Sequence, residues 1–213
     1  MAVTPLRDSR DLIAFGPVIP VIVIDRLADA VPMAEALLAG GVRVLELTLR
    51  TPVALQAIEA IAKAVPDAIV GAGTVRSVAD ARAAKDAGSR FAVSPGYLPA
   101  IGAVCREIGL PLLPGVSTGS EVMAAQADGL SFLKLFPAVA VGGIPLLKSF
   151  GGPFPDVSFC PTGGITPQTA PDFLALANVP VCGGTWLTPP DAVASGDWAR
   201  VTELARAASR LRG

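Results

Sequence analysis

The sequence predicts an α/β fold, a single-domain (β/α)8 barrel of the TIM type over residues 1–213, and three observations predict it. Short apolar, β-branched runs alternate with Ala-rich stretches of helical period from about residue 17 onward. The strand runs are apolar on both faces, as strands are when helices cover a parallel sheet. The alternation repeats eight times, the number that closes a barrel. An open doubly wound sheet is the competing architecture, and the count of eight favours closure.

The strand candidates are residues 18–24, 42–49, 68–74, 90–94, 111–116, 131–136, 157–162 and 179–182, with helices between them and a short helix before the first. Asp29, Ser77 and Thr118 stand where N-caps belong, and Gly40, Gly88 and Gly109 follow the last turns of their helices as C-caps do. Pro20 falls inside the first strand, where it removes a ladder donor, so a bulge or irregular pairing is expected there.

Apolar residues make up 52% of the chain, enough for a sizeable core. No run approaches the ~20 uninterrupted apolar residues of a membrane span. Seventeen basic against eighteen acidic residues give a net charge of −1, which leaves no global field for nucleic acid or an anionic membrane, so an anionic ligand must be held locally. Arg7, Asp8, Arg10 and Asp11 near the start, then Gly16, Pro17 and Pro20, are unlike a signal peptide, and a cytoplasmic location is expected. Cys105, Cys160 and Cys182 are widely spaced in apolar surroundings and read as reduced core thiols. Histidine is absent, removing the commonest metal ligand and general base together, so chemistry falls to carboxylates, lysine or hydroxyls.

Barrels of this type carry function at the C-terminal ends of their strands. The second strand reads Leu45-Glu46-Leu47-Thr48-Leu49-Arg50, which puts Glu46, Thr48 and Arg50 on one face and the leucines on the other. In the sixth, Lys134 shares the interior face with Phe132 and Phe136; it is the only one of four lysines in a strand. Two readings stay open: Lys134 and Glu46 form a buried ion pair without chemical role, or desolvation and the charge of Arg50 favour the neutral amine, a nucleophile. Gly71-Ala72-Gly73-Thr74, Ser94-Pro95-Gly96 and Pro114-Gly115-Val116-Ser117 end the third to fifth strands, and their small residues are read as room for a pocket with the Thr74 hydroxyl at its rim. Thr162-Gly163-Gly164 and Gly183-Gly184-Thr185 end the last two strands where barrels bind phosphate, although ordinary glycine turns read the same way.

The segments PVIPVIVID, AGGVRVLELTLRTP, IVGAGTV, SPG, PGVSTGSE, FLKLFPA, FCPTGGI and CGGTWLTP cover nearly the whole chain. Together they resemble the family of class I aldolases acting on 2-keto-3-deoxy-6-phosphogluconate (KDPG) and 4-hydroxy-2-oxoglutarate (KHG). The resemblance implies a homotrimer that cleaves KDPG to pyruvate and glyceraldehyde 3-phosphate in the Entner–Doudoroff pathway. It implies no metal and no organic cofactor; its partner is a small phosphorylated keto sugar acid. By motif, Lys134 is the Schiff-base nucleophile, Glu46 the acid/base, and Arg50 with Thr74 the holder of the substrate carboxylate. Pro95 and Phe136 shape the pyruvyl pocket, and Thr162, Gly163, Gly164, Gly184 and Thr185 line the remainder and the phosphate site. Thr185 replaces a serine common in the family, keeping the hydroxyl and adding a methyl. The preference between the two substrates and the stereochemistry at C4 are not fixed by the sequence. A non-covalent phosphate-binding isomerase or synthase, and a barrel that only binds a sugar phosphate, are the alternatives.

Overall fold

The computed structural model describes residues 5–211. A 3-10 helix at Ser9–Phe15 opens the chain. Strands and helices then alternate: β1 (Val18–Ile22), α1 (Ala30–Ala39), β2 (Val44–Thr48), α2 (Ala54–Ala64), β3 (Ile69–Gly73), α3 (Val78–Asp86), β4 (Ala92–Val93) and α4 (Pro99–Glu107). The second half runs β5 (Leu112–Leu113), β6 (Gly115–Val116), α5 (Gly119–Ala127), β7 (Phe132–Leu135), α6 (Gly143–Phe150), β8 (Ser158–Phe159), α7 (Ala170–Leu174), β9 (Cys182–Gly184), α8 (Pro190–Ser195) and α9 (Trp198–Ser209).

The order β5-β4-β3-β2-β1-β9 forms one sheet and β6-β7-β8 another. Chain continuity joins them at β5–β6, one barrel strand interrupted at Pro114, and a parallel bridge from Thr162 to Gly183 joins them on the other side. The barrel closes with eight strands counted this way, all paired in parallel.

Several sequence-based boundaries need correcting. Pro20 causes no bulge, since Val18, Ile19 and Pro20 pair one for one with Cys182, Gly183 and Gly184, but the irregular pairing expected there appears on the other side, where the ladder to β2 starts only at Val21. The fifth strand, expected over 111–116, is split because Pro114 has no N–H to donate. The last strand begins at Cys182 rather than 179, since the Val179 N–H donates to Leu176 O in the turn that closes α7. Ser77 and Thr118 cap their helices as expected, Thr118 within a capping box. Asp29 does not cap α1, because its carboxylate accepts two bonds from Arg26. Gly40 is the C-cap of α1 as expected and packs against Ala205 of α9, and the left-handed residue follows it at Gly41 (φ +90°).

Alternation along the strands sorts the core into two layers. Leu45, Leu47, Leu133 and Leu135 face outward and pack with Met33, Leu37 and Ile58 of the surrounding helices. Ile19, Val44, Ile69, Phe91, Val93, Leu113, Phe132, Cys160 and Val181 face inward and fill the barrel, and Leu12 of the 3-10 helix joins them. The 3-10 helix is therefore a plug at the N-terminal end, and it leaves the opposite end for the site. Leu12 is fully buried, so Leu12→Ala is expected to cost roughly 2–5 kcal/mol, read by denaturant unfolding; a loss under ~1 kcal/mol would rule the plug out as a structural part of the barrel.

Cys105, Cys160 and Cys182 are buried thiols. Among the described residues no helix is long and apolar enough to cross a membrane.

Candidate active site

The inward positions nearest the C-terminal mouth of the barrel turn polar. Glu46 on β2 and Lys134 on β7 lie far apart in sequence, and closure of the barrel brings them together. Lys134 Nζ donates to Glu46 Oε1 at 3.0 Å and Oε2 at 3.3 Å. Their side chains are only 6% and 3% exposed, so this is a buried ion pair rather than a screened surface contact. The Phe136 ring closes one side of the amine, its centroid 5.4 Å from Nζ. Inward-facing Cys160 stands close enough to feel both charges. Burial first, then the neighbouring Cys182 thiol, pushes the Cys160 thiol up to about 12. It stays protonated and does not compete with Lys134 as a nucleophile.

A second contact lies beside the first. Arg50 Nε donates to Thr74 Oγ1 at 3.1 Å. Thr74 has φ +60°, a costly conformation for a β-branched residue, found where surrounding structure fixes a side chain for a purpose. Gly73, the residue before it, lies against Glu46, so β3 links the two contacts. Thr48 donates to Ile22 O at 2.9 Å and ties β2 to β1 within this layer.

The reading of small residues as open space holds at Gly96, where an added Cβ meets no neighbour, and needs correction at Gly71, Gly73 and Gly115. A side chain at Gly73 would run into Glu46, one at Gly71 into Phe91, one at Gly115 into the Pro95 carbonyl, and one at Gly183 into Thr162. These positions are small because neighbours fill the volume. Pro95 therefore reaches the site through Gly115, the register partner of Lys134, and is itself exposed.

Past β8, Thr162 is buried and donates to Cys160 O at 3.3 Å. Gly163 and Gly164 follow at φ +103° and +78°, and Val139 N–H, just past β7, donates to Gly163 O at 3.1 Å. Gly184 packs beneath the Trp186 ring. Thr185 is exposed and lines a cleft of about 480 Å3 with Val21, Asp25 and Arg26. Val21, one residue lining this cleft, is the register partner of Glu46. Sequence reasoning missed the place of Arg26 beside Thr185 and the role of Gly73. Alternation of Gly71 and Gly73 on one strand face was the available signal for the last. Among the described residues no group of three or more His, Cys, Asp or Glu is placed to hold a metal ion.

A closed parallel barrel plugged at one end, with a buried lysine–carboxylate pair near its other mouth, defines a (β/α)8 barrel with the layout of an enzyme. Residues 10–204 match the family described as KDPG and KHG aldolase. The KHG/KDPG aldolase of Escherichia coli (strain K12) is 52% identical over 200 residues, spanning 94% of this chain and 94% of that protein. A KDPG aldolase from Legionella pneumophila, solved with pyruvate captured at low pH as a covalent carbinolamine intermediate, superposes with a TM-score of 0.91 at 47% identity, covering 93% of this chain and 96% of that one. The 2-keto-3-deoxy-6-phosphogluconate aldolase of Zymomonas mobilis ZM4, solved with 3-phosphoglycerate, gives a TM-score of 0.91 at 46% identity over 97% of each chain. The chain belongs to the KDPG and KHG aldolase family.

Proposed function

We propose that this chain is a Schiff-base aldolase that reversibly cleaves KDPG to pyruvate and D-glyceraldehyde 3-phosphate, and KHG to pyruvate and glyoxylate. The observation that carries the reading is the buried pair of Lys134 and Glu46 at the mouth of the barrel. The carbinolamine in the Legionella relative and the double name of the Escherichia relative support the chemistry and the two substrates.

Glu46 takes a proton from the Lys134 ammonium across their 3.0 Å contact, and the neutral amine attacks the C2 carbonyl. Glu46 gives that proton to the carbinolamine hydroxyl, which leaves as water and regenerates the carboxylate, and the resulting iminium is an electron sink for the bond between C3 and C4. Glu46 accepts the C4 hydroxyl proton as that bond breaks and the aldehyde leaves. The proton returned to C3 converts the enamine to the pyruvyl imine, and addition of water frees pyruvate and Lys134. The scheme needs no metal or organic cofactor.

Arg50, oriented by Thr74, holds the substrate carboxylate, and Pro95 and Phe136 shape the pyruvyl end. Thr162, Gly163, Gly164, Gly184 and Thr185 line the distal end, where the positive φ of Gly163 and Gly164 supports a turn that presents backbone N–H groups to phosphate. Arg26 adds a cation to the Thr185 cleft, while Asp29 accepts from its Nε and Nη2.

The working unit is one aldolase domain over residues 1–213, assembled as a homotrimer in the cytoplasm. Analytical ultracentrifugation is expected to give three times the chain mass.

The function is tested by incubating the protein separately with KDPG and KHG and coupling released pyruvate to lactate dehydrogenase. Pyruvate is expected from both. A folded protein that releases none from either contradicts the reading and favours a non-covalent sugar-phosphate barrel.

A further inference from the structure

We infer that Gly73 is a positioning residue for the reaction: its lack of a side chain seats the Glu46 carboxylate against Lys134. The inference rests on the aldolase reading above. An added Cβ at residue 73 would overlap Glu46 Oε1, and would stand 2.6 Å from Cγ and 2.9 Å from Cδ. The overlapped oxygen is the one that accepts from Lys134 Nζ at 3.0 Å. The carboxylate is thus wedged between the backbone of β3 on one side and the amine on the other.

The strand is not free to retreat. Gly73 is the register partner of Thr48, and its carbonyl accepts from Leu49 N–H at 2.8 Å. Thr48 is itself tied to Ile22 O, and Thr74 to Arg50. A methyl group at residue 73 must therefore displace Glu46 rather than the backbone. Displacement moves the proton-transfer group relative to the C4 hydroxyl and C3 of a substrate held on Lys134, and such misplacement costs rate without removing the nucleophile.

Gly73→Ala is expected to separate the two halves of the chemistry. The end-point extent of borohydride trapping of pyruvate on Lys134 stays close to that of the unmodified protein. Turnover of KDPG falls on the order of 10²-fold, and exchange of the pyruvate methyl protons with D2O slows in parallel. Adding Glu46→Asp to Gly73→Ala recovers part of the turnover, since the shorter side chain fits beside the methyl, while Glu46→Asp alone is slower than the unmodified protein. If Gly73→Ala folds poorly, stability carries the test: the Tm lost on adding Gly73→Ala is smaller in a Glu46→Ala background, which lacks the overlapped atoms. Equal loss of trapping and exchange, or the same Tm loss in both backgrounds, overturns the inference. Failure of the unmodified protein to trap pyruvate overturns instead the aldolase reading beneath it.

Discussion

Lys134→Ala is expected to reduce KDPG and KHG cleavage on the order of 10⁵-fold or more, the scale by which an oriented nucleophile outperforms one in solution. The inward-facing Cys160 thiol does not replace it, because it is held protonated, pushed up to about 12. The substitution also leaves Glu46 buried at 2% exposure without its cation, a loss of about 3–5 kcal/mol when one partner of a buried pair is removed. Activity and folding must therefore be read together, by coupled assay and by circular dichroism. The double variant Lys134→Met with Glu46→Gln removes both charges and is expected to recover most of the lost stability while remaining inactive. Turnover within ~10-fold of the unmodified protein by folded Lys134→Ala would show that the reaction does not pass through this amine.

Glu46→Gln carries the second large effect. Glutamine keeps the shape and can still accept from Lys134, but it cannot take or return a proton. Turnover is expected to fall ~10²–10⁴-fold, with imine formation surviving in part. The diagnostic is the contrast: pyruvate trapped on Lys134 while release of aldehyde and exchange of the pyruvate methyl protons both slow. Equal turnover by the variant would move the proton-transfer role to another group, and the buried Thr162 hydroxyl is a candidate in the same layer.

The barrel and its reactive pair were legible because a strand's period of two is a strong constraint. The same alternation that sends Leu45, Leu47, Leu133 and Leu135 to the helices sends Glu46 and Lys134 inward. A charged residue inside an apolar strand is costly unless it has a partner, and the two strands with such residues are the two that supply the pair. What the sequence hid depends on distances across the barrel. Pro114 splits its strand by a missing donor, and the last strand starts late because Val179 is held by Leu176. Gly73 and Gly115 looked like empty space, yet Glu46 and the Pro95 carbonyl occupy it, and no local pattern states which neighbour fills a glycine's volume. Arg26 escaped notice because it belongs to the loop after β1, and only closure of β1 onto β9 brings it to the cleft with Thr185.

The central claim is that Lys134 carries the substrate as an imine. Incubation with pyruvate and borohydride, followed by intact mass and peptide mapping with Lys134→Ala in parallel, measures it most directly. The expected result is one reduced pyruvyl adduct per chain, confined to the peptide containing Lys134 and absent from the variant. No adduct on a folded protein, or an adduct that persists in Lys134→Ala, contradicts the covalent account.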